Sequence, residues 1–269
     1  MSAKKKALCV GINYAGTEFE LRGCINDADD WADFFQKNGF STSVLTEAQA
    51  TKSIMLHAMT DLIADLKAGD VGVITYSGHG TWVPDQDGDE PDGRDEALCP
   101  IDMGDDGHNL ILDDELHLLF NKIVKGAHVI FVTDSCFSGS VYRFFDGSFG
   151  QRKVRFIPPS HILKDATLIT RMNLGFGQPQ SKKNQSPLPG LLHLSGCTDH
   201  EYSNDAYIDG RFNGALTYFA VRAFANTLRH KGTYQDAWLA IRKSLPSWEF
   251  QQTPLLNAPA DLKKVRLLG

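Results

Sequence analysis

The chain has 269 residues, 42% of them hydrophobic, which suits one large globular domain or one domain in two cooperating halves. A formal net charge of −6 and a pI near 5.8 argue against a nucleic-acid partner, and no apolar stretch has the length of a membrane span. Five scattered cysteines without a CxxC pair exclude a disulfide framework and a zinc knuckle and point to a reducing, cytoplasmic setting.

In chain order, the lysine-rich start and the apolar run to Ile12 have a signal peptide's charge but not its length, so residues 5–12 read as a first strand. Asn26 or Asp27 can cap a helix carrying Trp31, Phe34 and Phe35, which Asn38-Gly39 ends. A strand near 41–46 follows, then an amphipathic helix with Met55, Met59, Leu62, Ile63 and Leu66 on one face, stopped at Gly69. Val71 to Tyr76 is a short apolar run of the central-strand kind. Residues 81–110, rich in Asp, Gly and Pro, read as loop, and a helix is predicted near 113–125. A second central-strand run spans Ala127 to Val132. From 143 to 190 the pattern dissolves, and 175–187 has the composition of exposed, flexible chain. Order returns with a strand at 191–196, two helices around Leu216 and Trp238, and an edge strand near Pro254-Leu255-Leu256. Alternating strands and helices imply an α/β fold with a mostly parallel sheet and right-handed crossovers.

Both central runs end on reactive residues: Ser77-Gly78-His79-Gly80 after the first and Asp134-Ser135-Cys136-Phe137-Ser138-Gly139 after the second. In open α/β sheets ligands bind outside the carboxyl ends of the strands. A thiol becomes a nucleophile when a base sits beside it, and histidine is the usual one. The pair His79 and Cys136 therefore reads as the acid–base and the nucleophile of a cysteine hydrolase. Gly80 and Cys136 supply backbone N–H groups suited to an oxyanion.

The motifs Tyr76-Ser77-Gly78-His79-Gly80 and Asp134-Ser135-Cys136-Phe137-Ser138-Gly139 resemble those of metacaspases, caspase-like cysteine peptidases. Leu21 to Ala28, Asp85 to Gly93, Leu112 to Leu116 and Leu194 to His200 resemble further motifs of that family, in the same order and over nearly the whole chain. The resemblance implies a caspase-like three-layer sandwich, a six-stranded, mostly parallel sheet with helices on both faces. It also implies a compact, prokaryotic-type member without a prodomain. The single peptidase domain 1–269 would comprise a large-subunit-like part (1–150), a flexible linker (151–190) and a small-subunit-like part (191–269).

The resemblance further implies a monomeric endopeptidase that cuts peptides and proteins after Arg or Lys, with no organic cofactor. Asp27 and Asp134 match the acids of its specificity pocket, with Cys24 and Ser77 beside them. A buried carboxylate pair is costly unless a cation compensates it, which suits that assignment. Calcium is the one metal the resemblance raises: Asp95, Asp113 and Asp114 match ligands in some relatives, but Arg143 stands where a further acid is expected, and a cation there repels calcium. Asp85, Asp87, Asp89 and Glu96 mimic an EF-hand register, yet Glu90 occupies the position that needs glycine, so that motif is rejected. Phe137 departs from the histidine many relatives carry there. An enzyme that cuts after basic residues could process itself in exposed chain at Arg152, Lys153, Arg155, Arg171, Lys182 or Lys183. The rival readings are a caspase-like peptidase of different specificity, which a substrate panel separates, and an idle scaffold on the same fold, which would lack an activated thiol.

Overall fold

A computed structural model describes residues 3–85, 93–137, 152–163, 186–198, 201–245 and 249–269. The first strand, β1 (Lys5–Gly11), lies between β2 (Ser41–Thr46) and β3 (Val71–Ser77), all parallel. Two small-sheet strands, β4 (Gly80–Pro84) and β5 (Arg94–Leu98), follow with the two-residue β6 (Ile111–Leu112). They form an antiparallel sheet across the stretch whose composition reads as loop. There the alternating burial of Gly80 to Pro84 is masked in the sequence by turn-forming residues. The chain returns to the main sheet with β7 (His128–Asp134), parallel to β3, and after β8 (Arg152–Val154) with β9 (Leu191–Ser195), parallel to β7. The hairpin β10 (Asn204–Ile208) and β11 (Arg211–Gly214) pairs with β8, and β12 (Leu255–Asn257) closes the main sheet as an antiparallel edge.

The main sheet has six strands in the order β12-β9-β7-β3-β1-β2. Strand residues alternate between two cores, as a pleat with both faces covered requires. Leu8, Val10 and Ile12 join Met55, Met59, Leu62 and Ile63 of α2 (Lys52–Ala64) and Leu116, Leu119 and Phe120 of α3 (Asp113–Phe120). Ala7 and Cys9 face the other way, toward Trp31, Phe34 and Phe35 of α1 (Cys24–Lys37) and the helices Ala215–Arg229 and Tyr234–Ser244. Helix α1 starts earlier than its polar residues suggest. Gly23 is its N-cap, and Asp27 turns inward from the first turn and is fully buried. Helix α3 ends at Phe120, short of the predicted 125.

The chain passes from β1 to β2 on one side, then to β3 on the other, so the order reverses between β1 and β3. The crevice such a switch opens lies at the carboxyl ends of the strands, where Gly11, Ser77 and Asp134 stand side by side in register.

Candidate active site

His79 follows β3, and its imidazole is buried. Its Nε2 lies 2.7 Å from the carbonyl oxygen of Phe19. A carbonyl only accepts, so Nε2 carries the proton and Nδ1 keeps a lone pair. Nδ1 is buried without a hydrogen-bond partner. Burial outweighs the opposing Phe19 carbonyl and, with smaller help from the positive charges of Arg155 and Lys153, pushes the imidazole down to about 3. The ring is therefore neutral across the physiological range. Two tyrosines fix its backbone. The Tyr14 hydroxyl accepts from His79 N at 3.0 Å and donates to the Cys99 carbonyl at 2.6 Å, and the Tyr76 hydroxyl donates to the His79 carbonyl at 2.7 Å. The Tyr14 ring lies 4.8 Å from the imidazole centroid, on a backbone held at a φ of 54°. Side chains rarely adopt that left-handed conformation, which marks a position the surroundings over-determine.

Cys136 follows β7 and is buried against Phe156 and Cys197. Its sulfur accepts from the Ser203 backbone N–H. The backbone N–H groups of Gly80 and Cys136 converge on one oxygen, the carbonyl of Arg155, each at 3.1 Å. A side chain at residue 80 would put its Cβ 2.1 Å from the Cys136 carbonyl, so the convergence requires glycine.

The segment that supplies this carbonyl lies in the crevice as an extra strand. Arg152, Lys153 and Val154 pair antiparallel with Ala206, Asp205 and Asn204. The ladder continues through Arg155 N to the Ser203 carbonyl at 3.1 Å, then crosses to Gly80, whose carbonyl accepts from Ile157 N at 3.0 Å. Main-chain pairing to a sheet edge is a general mode of peptide recognition. Arg152 and Arg155 are thus not in exposed chain, as their sequence context suggests; Arg155 is fully buried. The apolar Phe156-Ile157 that follows explains this, because both side chains are buried too.

The Arg155 guanidinium sits among three buried carboxylates. Nη2 is 2.7 Å from Asp27 and 3.0 Å from Asp205, while Nη1 is 3.4 Å from Asp134 and donates to the Asp134 carbonyl at 3.1 Å. Burial opposes its charge, but the surrounding anions hold its pKa well above the usual value. Each acid is also held by donors of its own. Asp27 accepts from Gly214 N at 2.9 Å and Asn213 Nδ2 at 3.1 Å. Asp134 accepts from Thr217 N at 2.8 Å, Thr217 Oγ1 at 2.9 Å and Ser203 Oγ. Gly214 and Thr217 belong to the N-terminal end of the helix Ala215–Arg229, which favours anions. Asp205 accepts from Arg22 N and Gly23 N, both at 2.8 Å. Burial, with Asp134 adding to it against the pull of Arg155, raises Asp27 to about 7.

The other expected residues divide. Cys24 is buried at the start of α1, where burial pushes its thiol up, and Ser77 stands in register with Asp134. Asp95 is buried in β5, whereas Asp113 and Asp114 open α3 and line a separate cavity of about 440 Å³ with His117 and His193. Among the described residues no group of three or more His, Cys, Asp or Glu is arranged to hold a metal ion. Asp87, Asp89, Glu90, Ser138, Gly139, Arg143, Arg171, Lys182 and Lys183 lie outside the described residues. Asp205, Ser203, the Phe19 carbonyl and the two tyrosines are the parts sequence reading misses. Asp205 sits in a short polar run with no periodicity, and a carbonyl has no sequence signature.

Among known proteins, the profile described as the metacaspase, peptidase C14 domain matches residues 5–144. Metacaspase-1A of Aspergillus terreus is 30% identical, the match covering 97% of this chain and 72% of that protein. Metacaspase-1 of Emericella nidulans is 31% identical, covering 97% and 72%. A crystal structure of a Geobacter sulfurreducens protein matches with a TM-score of 0.74 and 31% identity over 98% of both chains. No helix among the described residues is long and apolar enough to cross a membrane.

Proposed function

Since the chain belongs to the metacaspase family of C14 cysteine peptidases, we propose that it is an endopeptidase cutting after arginine or lysine, and that the Arg155–Phe156 bond is the first it cuts. One observation carries this reading: the Arg155 carbonyl oxygen accepts from the N–H groups of Gly80 and Cys136 while its guanidinium lies among Asp27, Asp134 and Asp205. Those are the positions of a residue on the acyl side of the bond to be cut.

The thiol proton of Cys136 passes to Nδ1 of His79, and the sulfur adds to the carbonyl carbon of the basic residue. The negative charge that develops on oxygen is met by the Gly80 and Cys136 N–H groups, which cost no reorganisation. The imidazolium then protonates the leaving nitrogen, the C–N bond breaks, and a thioester remains. Water, losing a proton to His79, hydrolyses the thioester and restores the thiol. The Phe19 carbonyl acts on His79 as an orienting group does in other nucleophile–base pairs, by fixing which nitrogen is free. Arginine is the better fit to the pocket, because two diverging nitrogens can reach acids on opposite sides, whereas an ammonium is a single point. Five buried cysteines without a disulfide support the reducing, cytoplasmic setting.

The test is turnover of matched fluorogenic peptides ending in Arg, Lys or Asp by wild type and Cys136→Ala, with and without calcium. Mass spectrometry of the intact chain accompanies it. Arg turnover above Lys, none after Asp, and a cut between Arg155 and Phe156 absent from Cys136→Ala are expected. Cleavage after Asp, or a processed chain whose ends lie elsewhere, refutes the assignment of the pocket.

A further inference from the structure

A second basic side chain of the same segment is also held. Arg152, three residues before Arg155, donates from Nη1 to the Glu249 carbonyl, has Nη2 3.8 Å from the Glu249 carboxylate, and lies 5.3 Å above the Phe250 ring. Phe250 is buried, and its ring meets Phe219 of the helix Ala215–Arg229 at 6.4 Å, so its face toward Arg152 is a fixed one. An aromatic face, a carboxylate and a carbonyl together match a guanidinium, which stacks and forks, better than an ammonium. Of the residues between, Lys153 reaches the Glu20 carbonyl at the surface and Val154 packs against the cluster of Cys136, Phe156 and Cys197.

Resting on the reading of the cleft given above, we propose that Glu249 and Phe250 form a second cation subsite, so that the preferred substrates are peptides with arginines both at the cut and three residues before it. The first subsite is built from α1, the end of β7 and β10, the second from chain just before β12. A peptide must reach both while paired to β10, which fixes the spacing between its two arginines. The pairing Arg152 with Ala206 and Lys153 with Asp205 sets that register.

The test has an arm without chemistry and an arm with it. In Cys136→Ala protein, amide hydrogen exchange of residues 152–157 reports how firmly the segment is seated. Arg152→Ala and the pair Glu249→Gln/Phe250→Leu should each speed that exchange about tenfold, and combining them should add little, because they remove the same contact. In the active protein, Arg-Lys-Val-Arg should be cut with a kcat/KM about tenfold above Ala-Lys-Val-Arg, and Glu249→Gln/Phe250→Leu should narrow that preference. Unchanged exchange, or additive effects, overturns the subsite, as do equal rates on the two peptides. If neither peptide is cut, the peptidase reading fails and the exchange arm alone decides the subsite.

Discussion

The Arg155 guanidinium compensates three buried carboxylates, and Arg155→Met removes the charge while keeping an apolar stem of similar length. Breaking one side of a buried ion pair costs about 3–5 kcal/mol. The lower end applies here, because Asp27, Asp134 and Asp205 each keep donors from the chain itself. We expect a loss of about 3 kcal/mol near pH 8. The loss should shrink toward pH 6. Without the cation the native carboxylates have raised pKa values, so the native state binds more protons than the unfolded state, and the variant's stability falls as pH rises. The slope is at most about 1.4 kcal/mol per pH unit for each carboxylate involved. Urea unfolding followed by circular dichroism, in a Cys136→Ala background that prevents self-cutting, measures this at both pH values. Arginine amide should stabilise the variant and not its parent, by filling the vacated pocket. Equal stability of variant and parent at pH 6 and pH 8 would refute the claim that this guanidinium neutralises the acids.

Burial pushes His79 down to about 3, against about 6.5 in the unfolded chain. Between those values the unfolded state binds the extra proton, so this group makes stability rise with pH, by up to about 1.4 kcal/mol per unit. Asp27, raised to about 7, acts with the opposite sign between about 4 and 7. His79→Gln should therefore leave a stability that falls with pH across 4 to 6, relative to a flatter parent, as urea midpoints would show; parallel profiles would count against a neutral His79. Tyr14→Phe leaves the His79 N–H without its acceptor and should cost about 1–3 kcal/mol, with kcat for an Arg peptide reduced and KM little changed; a pure KM effect would disprove the positioning role. Gly214→Ala puts a Cβ 2.1 Å from the Asp134 carboxylate and 2.4 Å from Arg155 Nη1. It should unseat Arg155, giving a chain with parental helix content by circular dichroism that neither self-processes nor cuts Arg peptides; normal processing would contradict the packing described.

What the sequence made legible is what depends on strands. The apolar runs before His79 and Cys136 announce central strands, and the edge rule then puts both residues at one crevice. Asp27 and Asp134 follow from the family resemblance, and both lie beside the Arg155 guanidinium. The residues around Arg155 were legible only as basic composition. Burial of Arg155 depends on three acids drawn from β7, β10 and α1, over 100 residues apart for Asp27 and Arg155, and no local pattern encodes such a meeting. The β4–β5 sheet was hidden for a different reason: Asp, Gly and Pro dominate the composition of 84–93 and outweigh the strand signal of the residues on either side.

The occupant of the crevice is part of the chain it blocks, so it cannot be diluted away. A tethered ligand competes at an effective concentration of order millimolar, and an outside peptide at micromolar concentration meets mostly filled clefts. Its apparent affinity falls by the fraction of molecules whose cleft is open. If the Arg155–Phe156 bond is cut as proposed, compounds screened against the intact chain would look weaker than against the cut one by that same factor, and potency ranked on one form would mislead for the other.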